Sequence, residues 1–214
     1  MGKEITFDKK ENASHEIPET FVNRPENVFC SEITNVGINY GPYCFPTSIG
    51  VAQSFVGWLC NKKHPYGRML SKAYAGTREF SCCWKYITNE DPVEFIFLQH
   101  EFVRINYFIP TTEFLENEFS LEISKICEDL QHLIWTLSVE FGPQNTKKLF
   151  KMIQTDMNDV KISKMDESII ISFIEDITSS DDWQNAKEQF SSGLSIPQND
   201  VSFIYKTHYK QASA

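Results

Sequence analysis

The stretch "YGPYCFPTSIGVAQSF", residues 40–55, decides how the first part of the chain is expected to fold. Pro46 opens a segment that runs to Cys60, and proline suits a first helical position because its φ is already helical. Apolar residues are spread around the whole helical wheel of this segment: Ile49, Val51, Ala52, Phe55, Val56, Trp58 and Leu59. The pattern predicts a short helix buried on nearly all sides, with Cys44 at its mouth. Proline and glycine in the following "NKKHPYG" are expected to end it.

Residues 78–109 predict β-strands. The runs "REFSCCWKYI" and "PVEFIFLQHEFVRINYFIP" are dense in aromatic and β-branched residues, and Asp91-Pro92 and Pro110 bound them. In the second run Phe95 and Phe97 would lie on one face of a strand, and Ile96, Leu98, His100 and Phe102 on the other. Because both faces are apolar, we expect central strands of a sheet.

The period of the apolar residues changes after Pro110. Apolar residues now recur at intervals of three and four, through Leu115, Phe119, Ile123, Ile126, Cys127, Leu130, Leu133, Ile134 and Leu137. This spacing predicts one long amphipathic helix, which Thr111 or Thr112 can cap and which Gly142-Pro143 ends.

The last third of the chain predicts four shorter elements. A helix is expected through "TKKLFKMIQ", a β-hairpin in "VKISKMDESIIISFIEDI" that turns near Asp166-Glu167, a capped helix in "SSDDWQNAKEQFSSG", and a half-buried strand in "DVSFIYKTHY". Together the elements predict an α+β fold, in which a mixed or antiparallel sheet packs against one long amphipathic helix and two or three shorter helices. Residues 1–27 read as an extended N-terminal arm, and residues 28–214 as a single α+β domain.

Charge and composition restrict the class of partner. The 214-residue chain carries a formal net charge of −9, and its pI is about 5.1. A negative field repels phosphate groups, so nucleic acid is not expected as a partner, whereas a protein or peptide with a basic surface is favoured. The chain contains no apolar run long enough to cross a membrane and no signal peptide, which predicts a cytoplasmic protein. Met1-Gly2 followed by Thr6 fits the minimal N-myristoylation pattern.

Cys44 is the residue whose position most suggests chemistry. A helix N-terminus supplies unpaired amides and a favourable dipole, which stabilise a thiolate and make a cysteine nucleophilic. The segment "YCFPTSIGVAQSF" resembles the helix-opening Cys-Gly-Pro-Thr-Ser segment of papain-like cysteine peptidases of the bacteriocin-leader-processing group. Cys44, Pro46, Thr47 and Ser48 match, and Phe45 stands in place of the glycine.

The resemblance implies a catalytic set around Cys44. A histidine on a downstream strand would act as the base and a polar residue would orient it. His100 best fits the base, with Asn106 or Asn117 to orient it, and His208 is a second candidate base. The resemblance assigns no oxyanion hole.

Other constellations are incomplete. Cys60 and His64 are spaced as metal ligands on a helix would be, but adjacent Cys82 and Cys83 would point to opposite faces of a strand and so do not complete a zinc site. No glycine-rich phosphate loop is present. We therefore predict no cofactor and no metal.

Three functions remain open from the sequence. The first is a cysteine-dependent hydrolase or acyltransferase, with Cys44 as nucleophile and His100 as base. The second is a non-enzymatic acidic interaction module, such as an inhibitor or immunity-type protein, that binds a basic partner. The third is a carrier of apolar ligands, suggested by the 17 phenylalanines.

Overall fold

A computed structural model describes residues 37–157, 160–181 and 183. Three quarters of these residues are helical, and a small two-stranded antiparallel sheet accompanies the helices. Its strands are β1, Asn39–Tyr40, and β2, Phe45–Pro46, in which Asn39 pairs with Pro46 and Tyr40 with Phe45. The fold is thus α+β in the broad sense, but helices dominate it.

The helices follow one another with short connections. In chain order they are α1 Val51–Asn61, α2 Pro65–Leu70, α3 Arg78–Glu90, α4 Pro92–Val103, α5 Ile109–Phe119, α6 Glu128–Asp156 and α7 Glu167–Ser179. A π-helical segment, Arg104–Phe108, joins α4 to α5 without a break, and short 3₁₀ turns occupy Ile123–Lys125 and Ile162–Lys164.

The predicted central strands in residues 78–109 are wrong, because this region forms α3, α4 and the π segment. Helix caps decide the outcome: the Thr77 hydroxyl accepts a hydrogen bond from the Phe80 amide, and the Asp91 carboxylate accepts one from the Glu94 amide. Pro92 then stands at the first position of α4. Because α4 is buried on most of its surface, its apolar run has no polar face that would reveal a helical period.

The predicted long helix from Pro110 to Gly142 is two helices. Ser120 takes a left-handed conformation, with φ of 55°, and ends α5. The break predicted at Gly142-Pro143 is confirmed: Gly142 has a non-helical backbone, with φ of 77° and ψ of 160°, so α6 consists of two helical halves that meet at a kink. The helix predicted in "TKKLFKMIQ" lies in the second half of α6.

The hairpin predicted near Asp166-Glu167 is also wrong. The Asp166 carboxylate accepts a hydrogen bond from the Ser168 amide at 2.9 Å and so caps α7. Ile170 and Ile174, one helical turn apart, are its buried residues. The predicted N-terminal arm and final strand lie outside the described residues, as does most of the predicted helix in "SSDDWQNAKEQFSSG".

The core consists of two apolar clusters. The first surrounds β1 and β2 and draws most of its residues from α1, α3 and α4, and the second is formed mainly by α5, α6 and α7. Trp135 of α6 packs against both, since its ring centroid lies 5.0 Å from that of His100 in α4 and 5.0 Å from that of Phe108 in the π segment. Within the described residues no helix is long and apolar enough to span a membrane.

The tight turn between β1 and β2 is the centre of the first cluster. The Cys44 amide donates to the Gly41 carbonyl at 2.9 Å, and Tyr40, Tyr43 and Phe45 around this turn are at most 1% exposed. Gly41 has φ of 71°, a conformation that costs little only for glycine. A Cβ atom at Gly41 would lie 1.9 Å from the Gln99 Oε1 atom, so the turn also touches α4 directly.

We expect Gly41→Ala to destabilise the protein by about 2–4 kcal/mol, because left-handed strain adds to overpacking against the buried Gln99. Urea unfolding followed by circular dichroism measures this loss. Gly50→Ala is the matched control, since Gly50 has φ of 75° but nothing within 4 Å of an added Cβ. Strain alone should cost the control about 1 kcal/mol. Equal losses in the two variants would contradict close packing of the turn against α4.

Candidate functional site

Cys44 does not lie at the start of a helix. It is the last residue of the turn between β1 and β2, seven residues before Val51, where α1 begins. Its backbone is left-handed, with φ of 48°, and only 1% of its surface is exposed. Cys44 is therefore not part of α1, and burial shields its thiol from solvent.

His100 lies in the middle of α4 and is 4% exposed. Its Nδ1 atom and the Tyr43 hydroxyl are hydrogen-bonded at 2.5 Å, and its ring stacks on Trp135 at an interplanar angle of 25°. Burial raises the pKa of the Tyr43 phenol far above its usual value, so the phenol stays protonated and can donate to Nδ1. The turn thus brings Tyr43, the residue beside Cys44, to the predicted base.

Asn106 does not orient His100 in this structure. It lies in the π segment, where its Nδ2 atom donates to the Phe102 carbonyl at 2.8 Å within its own helical run. Asn117 is exposed on α5, and His208 lies outside the described residues. Asn106 does, however, line an open pocket.

That pocket has a volume of about 250 Å³. Three irregular points of the fold meet there: the first turn of α1, the π segment, and the kink of α6. Its lining residues are Val51, Ser54, Phe102, Asn106, Tyr107 and Pro143. A single π turn within an α-helical run is frequent at functional sites, which makes this pocket the candidate site.

Tyr107 supplies the most unusual polar group of the pocket. Its side chain is 8% exposed, and burial raises the pKa of its phenol to about 12. The hydroxyl makes no hydrogen bond with any residue that the structure describes. The ring is buried but the hydroxyl oxygen reaches solvent, so it offers a donor to a molecule that enters the pocket.

The start of α1 forms the opposite wall. Its N-cap is Gly50, and no side chain caps the helix. The amides of the first helical turn have no partner within the helix, and together they carry the positive end of the helix dipole. The pocket wall therefore favours electron-rich groups.

Two sequence features mark irregular backbone at this site: Gly50 before an apolar helix and Pro143 within a periodic segment. Tyr107 was missed because "RINYFIP" was predicted to be part of a strand. No three His, Cys, Asp or Glu side chains in the described ranges come together as a metal site.

The cysteines should differ strongly in reactivity. We expect limiting iodoacetamide near neutral pH to modify the exposed Cys82 first and to leave Cys44 intact until the chain unfolds. Cys127 is exposed as well, but burial and a hydrogen bond to Glu167 raise the pKa of its thiol, which slows its reaction. Peptide mapping by mass spectrometry measures the rates, and the same reaction in 8 M urea, roughly the concentration that unfolds most domains, removes the differences. Native Cys44 reacting as fast as Cys82 would contradict its burial.

Comparison with known proteins corrects the functional interpretation. No curated protein matches the chain. A family model described as "Type VI secretion system spike protein VgrG3-like, C-terminal" matches residues 23–195.

This match overturns the papain-like resemblance and the cysteine hydrolase or acyltransferase built on it, and it does not point to an inhibitor, an immunity-type protein or an apolar-ligand carrier. The roles of His100 and Asn106 were implied by that resemblance, whereas Cys44 was also proposed from its predicted place at a helix start. Since the match spans most of the chain, this protein belongs to the family of VgrG3-like C-terminal domains of type VI secretion system spike proteins.

Proposed function

We propose that this chain is a protein-binding module that travels with the spike of a type VI secretion system. The observation that carries the proposal is the family match over residues 23–195, because that family is defined by the C-terminal part of a spike protein. A module in that position would be transported together with the spike and would then bind other proteins through its exposed surface.

The surface that best suits contact is acidic. We call "acidic segment" the exposed carboxylates on α5, on the start of α6 and on the connection between them: Glu113, Glu116, Glu118, Glu122, Glu128 and Asp129. Lys125 lies among them and pairs with Glu122 at 2.8 Å. Lys147 and Lys151 of α6 lie over the nearby Phe114 ring, at 5.2 and 5.5 Å. Six carboxylates thus face three ammonium groups, which leaves the region negative.

A partner with a basic surface fits this region. Complementary charge accelerates encounter and disfavours wrong complexes, and the net charge of −9 for the whole chain acts in the same direction. Exposed pairs contribute little energy each, so the acidic segment should govern association rate and selectivity more than final affinity.

Secretion-dependent release tests the first part of the proposal. An epitope-tagged chain is expressed in a bacterium with an active type VI secretion system and in an isogenic strain whose system is inactivated. We expect the chain in the culture medium of the active strain only, with a cytosolic marker retained by both. Equal release from both strains, or retention by the active one, would show that the spike does not carry it.

Charge substitution tests the second part. The combined variant Glu116→Gln, Glu118→Gln and Glu122→Gln should weaken capture of the protein that co-purifies with the chain from the active strain alone, by about tenfold at low salt. Raising the salt to about 0.5 M should erase most of this difference, because salt screens exposed charges. The control carries Glu79→Gln and Glu90→Gln, which are exposed on α3. Equal capture by both variants would exclude the acidic segment as the contact surface.

A further inference from the structure

We propose that the pocket between the start of α1, the π segment and the kink of α6 binds a carboxylate carried on a compact apolar group. The proposal rests on the shape, the donors and the charge of this pocket, and it is independent of how the chain is transported. Neither the family description nor the acidic segment assigns any role to it.

The walls of the pocket are held by packed aromatic rings. The ring centroid of Phe102, which lines the pocket, lies 5.4 Å from that of Phe55 and 5.8 Å from that of Trp58, both in α1, with edge-to-face geometry. These contacts hold the α1 wall and the Phe102 wall of the pocket in place without a ligand. Binding to a preformed pocket does not have to offset the entropy of ordering its walls.

The donors in the pocket are unequal. Ser54 donates its hydroxyl to the Gly50 carbonyl at 2.9 Å, and Asn106 donates its amide to the Phe102 carbonyl, so both side-chain donors are engaged within their own helices. The Tyr107 hydroxyl is not engaged by any described residue and reaches solvent, although the residue as a whole is only 8% exposed. The backbone amides at the uncapped start of α1 are the second set of available donors.

These donors select an acceptor with negative charge. The phenol stays protonated at neutral pH, because burial raises its pKa to about 12, so it donates rather than accepts. The amide end of α1 adds a favourable dipole for an anion. No Lys or Arg lines the pocket, so a doubly charged phosphate would remain largely uncompensated there. A carboxylate carries one charge on two oxygens, of which one can accept from the phenol and the other from the helix.

The remainder of the ligand is set by the apolar walls. Val51, Phe102 and Pro143 offer hydrocarbon surface, and the volume of about 250 Å³ is below that of a typical site for a drug-sized ligand. A ring or a short branched chain next to the carboxylate fits this space. Such a group occurs on small organic acids and also at the carboxyl terminus of a peptide that ends in an apolar residue.

The intact chain can be tested with 3-phenylpropionate and with the matched neutral 3-phenylpropionamide. We expect saturable ¹⁵N–¹H shift changes at the amides of Ala52, Gln53 and Tyr107 with the carboxylate, and binding of the amide weaker by about tenfold or more, since charge-assisted hydrogen bonds are roughly twice as strong as neutral ones. Absence of saturable changes, or equal binding of the two compounds, would overturn the proposal.

Tyr107→Phe removes the donor and leaves the ring. Binding of 3-phenylpropionate should weaken by about tenfold, the effect of losing one hydrogen bond to a charged group. The variant should fold normally, because the hydroxyl bonds to no described residue, and its thermal unfolding verifies this. Tyr86→Phe, exposed on α3, is the control and should bind as the parent does. Unchanged binding by Tyr107→Phe would exclude the site.

The peptide N-acetyl-Ala-Ala-Phe separates the two sources of the carboxylate. Tighter binding than 3-phenylpropionate at the same amides would support the site and assign it to a peptide terminus. Equal or weaker binding would support the site and assign it to a small organic acid.

Discussion

The burial of one tight turn, Gly41–Cys44, is the constraint around which the first half of this structure is organised. A turn exposes backbone polar groups and is normally found at a surface, because buried groups must all find partners. Here the turn is buried because the aromatic side chains of Tyr40, Tyr43 and Phe45, in it and beside it, pack in the first cluster. Their polar atoms are satisfied there: Tyr40 bonds to Ser81 of α3 at 2.7 Å and accepts from the Gly76 amide at 3.1 Å, and Tyr43 bonds to His100 of α4. The turn thereby fixes where α3 and α4 lie.

The second constraint is the π segment, which lets one continuous helical run serve both clusters. The Ile109 amide bonds to the Arg104 carbonyl, five residues back, so the segment contains one residue more than an α-helical turn. An extra residue rotates everything after it by about 100° relative to an uninterrupted α-helix. Tyr107 packs in the first cluster and Phe108 in the second, so the segment contacts both. Tyr107 of the same segment also lines the pocket.

The sequence predicted an element best where a helix-capping or helix-breaking residue adjoined a segment with clear apolar periodicity. It predicted worst where apolar residues covered every face of a segment. The helix after Pro46 was predicted correctly, although it begins at Val51, because its composition and the following "NKKHPYG" agreed. Residues 92–108 were predicted wrongly because a helix buried on most faces and a central strand have the same composition. The only helix-start signal before this long apolar run is the pair Asp91-Pro92. The site could not be read from the sequence, since a pocket between three irregular helices depends on packing.

The two polar sites of this half differ in a way that decides which one can bind. Tyr43 and His100 are hydrogen-bonded to each other inside the first cluster, at 1% and 4% exposure, so their bond stabilises the turn. Tyr107 has a similar phenol at similar burial, but its hydroxyl is left without a described partner and faces a pocket that opens to solvent. The Tyr107 hydroxyl oxygen reaches solvent, and a ligand that enters the pocket can accept its hydrogen bond in place of water. Binding therefore belongs at the irregular junction of α1, the π segment and α6, while the buried turn that first suggested catalysis serves to hold that junction in place.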